Sequence, residues 1–218
     1  MTDIRALFLE TALAAQTLLF EPALARRFDE PSVLAEFPIR GLAGHFLRAL
    51  TSVEGYLDRP EPAARPGSEV AAVSPAEYYA AVVAAGNDIG SEGQRAIRQR
   101  GFEAAPGTAG ELALAWSEAT ARLDERLERE AAGRRVGVFG DMVLTLDDYL
   151  VTRLVELVVH ADDLAASLAV TPPPLPAAAT GLVIATLVEV ARIRHGDAAV
   201  LRALARRERD AVEALRVL

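Results

Sequence analysis

The segment LDDYLVTRLVELVVHADDLAASL, residues 146–168, constrains the fold more than any other part of the chain. At about 100° per residue, Arg153, Glu156, His160, Asp163 and Ser167 fall in one narrow stripe, roughly 80° wide. Leu154, Val155, Leu157, Val158, Val159, Ala161, Leu164, Ala165 and Leu168 fill almost all of the remaining surface, with Asp162 as the exception. A helix with so wide an apolar arc has to be packed on most of its sides, so the rest of the chain must supply several neighbours for it.

Those neighbours read as helices. Ile4, Phe8, Ala12, Ala15 and Leu19 share one face over residues 2–20. A loop with Pro22, Asp29 and Pro31 precedes a second helix, which starts near Pro38 and runs through RGLAGHFLRALTSVEGYL. Pro60, Pro62, Pro66 and Gly67 predict a long loop over residues 59–73. Ser74-Pro75-Ala76-Glu77 is a capping box that opens a third helix, which Gly86, Gly90 and Gly93 bend or break before Arg100. Thr108 with Glu111 forms a second capping box, and the helix it opens continues to about Ala132. Alternating apolar residues around Gly140-Asp141 predict a short hairpin or an extended loop.

Beyond residue 170 the run TPPPLP, residues 171–176, predicts a rigid hinge, followed by helices near 177–195 and 197–215. Alanine and leucine abound while aromatics make up only 6% of the 218 residues, which favours helices over sheets. The expectation is an all-α protein: a bundle of four main helices over residues 1–170 with a short helical extension over residues 171–218.

Composition excludes several kinds of chemistry. There is no cysteine, so the chain has no disulfide, no thiolate ligand and no cysteine nucleophile; a thiol reacting here comes from outside. All 23 basic residues are arginine, which rules out lysine Schiff bases and a phosphate-loop lysine. A net charge of −8 argues against a general nucleic-acid binder. Seven arginines against four acids from Arg192 onward make the tail locally basic; that face would meet an anionic ligand or, more simply, pair within the protein. Asp3 and Glu10 distinguish the start from a secretory signal, and Glu189 and Arg192 keep the apolar run at 182–188 short of a membrane span. A cytoplasmic protein with no membrane partner is expected.

The polar stripe admits two readings. It is a solvent-facing seam in which Glu156 and His160 form an ordinary i, i+4 pair, or it holds a ligand. His45 bears on the choice. On the second helix it sits among mostly small residues, Pro38, Gly41, Ala49 and Ser52, with Leu42 and Arg48 at the edges, which would leave space for a metal and its substrate. A core histidine satisfied by a carbonyl or by Glu156 is the plainer alternative. Together His45, Glu156 and His160 offer two nitrogens and a carboxylate, a set used by zinc in catalytic sites with one position open. His195, beside Gly196 beyond the hinge, suits a turn or cap role.

The pairing of GLAGHFL with TRLVELVVHADDLAASL resembles the mycothiol-dependent maleylpyruvate isomerase family, within the DinB-like metal-binding helical bundles. The likeness rests on Gly41-Leu42-Ala43-Gly44-His45 and on Arg153, Glu156, His160, Asp163 and Leu164. The tail resembles those of actinobacterial members, whereas the isomerase itself carries a larger mixed C-terminal domain. Phe37-Pro38-Ile39-Arg40 stands where the family often has a tryptophan.

The resemblance implies a DinB-like bundle with metal ligands His45, Glu156 and His160. It implies Zn2+ or another divalent metal, mycothiol as the external thiol, and a small electrophile as substrate for isomerisation or thiol transfer. Asp163 would orient a ligand, and Arg153 would pair with Glu156 or Asp163 or hold a substrate carboxylate. The alternative is a non-enzymatic metal- or ligand-binding bundle acting as a dimerising interaction module; a homodimer is compatible with either.

Overall fold

The computed structural model describes residues 3–62, 71–85, 90–205, 215 and 217. Helix α1 (Ile4–Ala15) is capped by Asp3, whose carboxylate accepts from the amides of Arg5 and Ala6. It then tightens into a 3-10 turn over Gln16–Phe20, so the expected first helix changes pitch before its end. The loop expected around Pro22 instead begins with a short helix, α2 (Pro22–Arg27), because the fixed φ of Pro22 suits a first helical turn. Helix α3 (Ile39–Leu57) starts one residue past Pro38, which is its cap.

Ser74 and Glu77 form the expected capping box of α4 (Pro75–Ala84), and Ser91 caps a separate α5 (Glu92–Ala104). The break expected at the glycines is therefore present, although Gly86 lies outside the described residues, as do Pro66 and Gly67 of the proline-rich loop. Thr108 and Glu111 cap α6 (Ala109–Arg129), which stops short of Ala132. Strands β1 (Arg135–Gly137) and β2 (Val143–Thr145) pair antiparallel, with Val136 opposite Leu144 and the turn carrying Gly140 at φ 66°. Helix α7 (Leu146–Leu168) follows directly and spans the whole apolar segment. After the proline run come α8 (Ala177–His195) and α9 (Asp197–Ala205); Arg206, Arg207 and Arg209 lie outside the described residues. Arg192 pairs with Glu189 and Asp197, the intramolecular outcome for that part of the tail, and His195 is exposed at the end of α8 before Gly196 at φ 81°.

The all-α architecture expected from the periodicity is the one found. Helices α1, α3, α6 and α7 close a ring in which α1 and α3 each touch both α6 and α7. Inside it Phe46 and Trp116 meet at 4.5 Å between ring centroids, and the Trp116 indole donates to the Ala12 carbonyl at 3.1 Å. The apolar arc of α7 is buried against α1 and α3 on one side and α4 and α8 on the other. Among the described residues no helix is long and apolar enough to cross a membrane.

Helix α5 lies along the outside of α3, and glycine permits the approach. A Cβ on Gly44 would be driven into the Gly101 carbonyl and the Ala105 amide, and one on Gly101 would meet the Gly41 carbonyl at 2.6 Å. This corrects one expectation. Gly41 does not leave a void beside His45; a Cβ there would strike the Phe37 ring at 2.9 Å, and the backbone of α5 fills the neighbouring space. Gly44→Ala should therefore push α5 away from α3 and destabilise the protein by about 1–3 kcal/mol, measured by denaturant unfolding.

Candidate metal centre

Helix α7 sets Glu156 and His160 one turn apart, and α3 brings His45 to them from the neighbouring wall of the bundle. The Nε2 atoms of His45 and His160 lie 3.1 and 3.3 Å from the same oxygen, Glu156 Oε2. One donor atom from each of the three residues lies within 4.8 Å of the others. All three side chains are 17% exposed, so the stripe is neither a solvated seam nor sealed in the core. It lies where α3 meets α7, with α4 touching it through Tyr79 and α5 packed on α3 beside His45.

The supporting contacts point each group inward. His160 Nδ1 and Asp163 Oδ2 are 2.9 Å apart, an N–H donated to a carboxylate that turns Nε2 toward Glu156. The Tyr79 hydroxyl lies 2.8 Å from both Glu156 Oε1 and the Thr152 carbonyl, so its proton is shared between them. That fixes one carboxylate oxygen and leaves the other facing the histidines. Phe37 leans on His45 at 5.9 Å between centroids, and the two imidazoles meet edge to face at 4.8 Å. His45 Nδ1 is buried with no hydrogen-bond partner.

Arg153 lies over the Tyr149 ring at 5.0 Å and donates from Nε to Thr152 Oγ1 at 3.1 Å. Its Nη2 stays 4.0 Å from Glu156 Oε1, close enough for attraction but beyond a hydrogen bond. Ser167, the fifth member of the stripe, takes no part; it donates to the Asp163 carbonyl and accepts from the Val33 amide. The structure thus brings His45, Glu156, His160, Asp163 and Arg153 together. Tyr79 and Tyr149 join them without any warning in the sequence beyond their place on amphipathic helices.

The electrostatics follow from burial and pairing. Burial raises the Glu156 pKa, but hydrogen bonds from His160 and His45 and the charge of Arg153 outweigh it, holding the carboxyl well below its usual range. Burial disfavours a charged His160, yet Asp163 and Glu156 together lift it to about 9. His45 goes the other way: burial lowers its pKa, with the neighbouring His160 adding to the effect against the pull of Glu156. The pocket therefore holds a carboxylate, a neutral imidazole and an imidazole that carries a proton in the metal-free state.

This donor set fits a divalent ion. Ligands about 2.0–2.1 Å from a tetrahedral zinc sit about 3.3 Å from one another, close to the spacings of Glu156 Oε2 from the two histidine nitrogens. Three protein donors leave a fourth position for water or substrate. Asp163→Ala should cost about 10- to 100-fold in metal affinity, read by chelator competition, because His160 loses the contact that orients it.

No curated protein and no solved structure matches the chain. The family described as "Mycothiol maleylpyruvate isomerase N-terminal domain" matches residues 9–165, from α1 through the Glu156 and His160 helix. That match spans well over half of the chain, and the chain belongs to this family.

Proposed function

We propose that the protein is a metal-dependent enzyme, with zinc as the ion, that activates an external low-molecular-weight thiol such as mycothiol for reaction with a small electrophile. The observation that carries this is the convergence of His45 Nε2, His160 Nε2 and Glu156 Oε2 at one point between α3 and α7. The family's printed description supports the choice of thiol, and the lack of any cysteine requires that the sulfur come from outside.

A divalent ion held by these three residues would lower the pKa of a thiol in the open position and so provide thiolate at neutral pH. The chain's own residues then have separate tasks. Asp163 keeps His160 in the tautomer that presents Nε2, and Tyr79 fixes Glu156 so that one oxygen faces the site. Arg153 offers positive charge beside the pocket for an anionic group on the substrate. For isomerisation, the thiolate adds to a conjugated double bond, the resulting single bond rotates, and elimination of the thiolate restores the double bond. For transfer, the sulfur stays on carbon and a proton from solvent completes the addition.

The test pairs metal analysis of protein purified without chelator with turnover assays on maleylpyruvate and other conjugated electrophiles, with and without mycothiol. The expected result is about one metal per chain and turnover that requires both the metal and the thiol. Bound metal with no thiol-dependent turnover of any electrophile would favour a metal-binding module instead.

A further inference from the structure

We propose that Arg48, Arg100 and Arg153 form an anion subsite beside the candidate metal ligands, and that it takes a carboxylate of the small molecule bound there. The proposal rests on the metal-centre reading for its location. The subsite itself can be tested without metal.

Three elements bring the arginines together. Arg48 lies one turn along α3 from His45, on the side shared with Ser52 and Tyr56. Arg153 lies one turn before Glu156 on α7. Arg100 immediately precedes Gly101 on α5, and a Cβ on Gly101 would sit 3.0 Å from the His45 Cβ. Each arginine is thus anchored within one turn of a candidate ligand or of its closest backbone neighbour.

Their charges are poorly compensated. Elsewhere on the protein, Arg5, Arg122, Arg126 and Arg134 each have a carboxylate within 3.0 Å. Other described arginines that lack one within 4.0 Å, such as Arg26, Arg59, Arg95 and Arg202, are exposed, as Arg100 is, whereas Arg48 and Arg153 are partly buried. Among the described residues neither Arg48 nor Arg100 has an acidic partner within 4.0 Å, and Arg153 has only Glu156, at 4.0 Å. Burial lowers the pKa of half-buried Arg48, and the charges of Arg100 and Arg153 lower it further, with only tyrosines acting in opposition. Placing like charges together in a chain of net charge −8 costs stability that an arriving anion would offset.

The surroundings suit a carboxylate. Tyr149 supports the Arg153 guanidinium at 5.0 Å, and its hydroxyl is fixed by a 3.0 Å hydrogen bond with Ser52. Stacking on Tyr149 uses the face of the guanidinium and Thr152 takes its Nε, which leaves the two Nη groups as N–H donors for a carboxylate. An electrophile carrying a carboxylate a few bonds from its reactive carbon would then be held by the arginines while the carbon faces the open metal position.

The experiment titrates succinate into metal-free and zinc-loaded protein at low salt by calorimetry, with dimethyl succinate as the uncharged probe. The variants are Arg48→Gln, Arg100→Gln and their double, with Arg129→Gln, exposed at the end of α6, as control; circular dichroism checks that each is folded. We expect succinate to bind metal-free wild type, the ester not to bind, and the double variant to weaken succinate by about tenfold or more. Each single variant should weaken it several-fold, so the test survives if the double does not fold. Zinc stoichiometry should stay at the wild-type value throughout. Succinate binding that is absent in wild type, or equal in wild type and the arginine variants, overturns the subsite. A wild type that binds succinate but no zinc overturns the metal reading and leaves the subsite standing.

Discussion

His160→Ala should abolish stoichiometric metal binding, lowering affinity by about two to three powers of ten. The size follows from zinc sites worth about 10–16 kcal/mol over four ligands, hence about 2.5–4 kcal/mol for each ligand removed. His160 also carries more than its own donor atom. It separates Glu156 from Asp163, two carboxylates otherwise close on one helix face, so its loss leaves both acids short of a partner. His45→Ala should produce a similar loss from the neighbouring wall, while Glu156→Gln keeps the shape and removes the one negative ligand. Competition with a chromophoric chelator measures all three, and the circular dichroism of each variant separates lost ligation from lost fold.

The second large effect is the coupling of metal binding to protons. Metal-free His160 holds its proton up to about pH 9, because Asp163 and Glu156 overcome the effect of burial. A metal at Nε2 must displace that proton, so apparent affinity should rise about tenfold per pH unit between pH 7 and 9 and then level off. One proton should appear in an unbuffered indicator solution for each metal bound at pH 7.5. The metal-free fold carries the same linkage. His160, with its folded pKa raised, contributes stability that is complete below the unfolded value near 6.5 and is lost as pH climbs toward 9. His45, with its folded pKa lowered, acts on the acid side: the unfolded chain takes up its proton as pH falls through about 6.5, and the fold loses stability there. Glu156 adds to the acid loss below its ordinary range, near 4.5. Metal-free protein should therefore melt highest near pH 6–7, and zinc should remove the alkaline decline, as scanning calorimetry at several pH values would show.

What the sequence disclosed here was mostly what lies within one helix. The limits of α7 and the shared face of Glu156, His160 and Asp163 follow from a 3.6-residue period and need no partner to be inferred. The capping boxes of α4 and α6 were equally legible, since a Ser or Thr three residues before Glu closes on itself. Contacts between helices were less so. The tight packing of α5 on α3 at Gly44 and Gly101 depends on where two distant glycines meet, and from the sequence Gly41 read as room beside His45. Tyr79 reaches Glu156 only because α4 docks on α7, a tertiary fact with no local signal. Arg48 and Arg100 are likewise single residues on separate helices, with no spacing to mark them as a pair, whereas Arg153 was legible from its place on the polar stripe of α7. The short α2 went unseen because prolines mark helix starts as readily as loops.

X-ray absorption at the zinc edge, on protein loaded one to one, tests most directly whether His45, Glu156 and His160 hold a single ion. The expected spectrum shows nitrogen and oxygen neighbours near 2.0 Å with scattering from two imidazoles, falling to one imidazole in His45→Ala. A spectrum without imidazole scattering, or one that His45→Ala leaves unchanged, would contradict a metal centre built across α3 and α7.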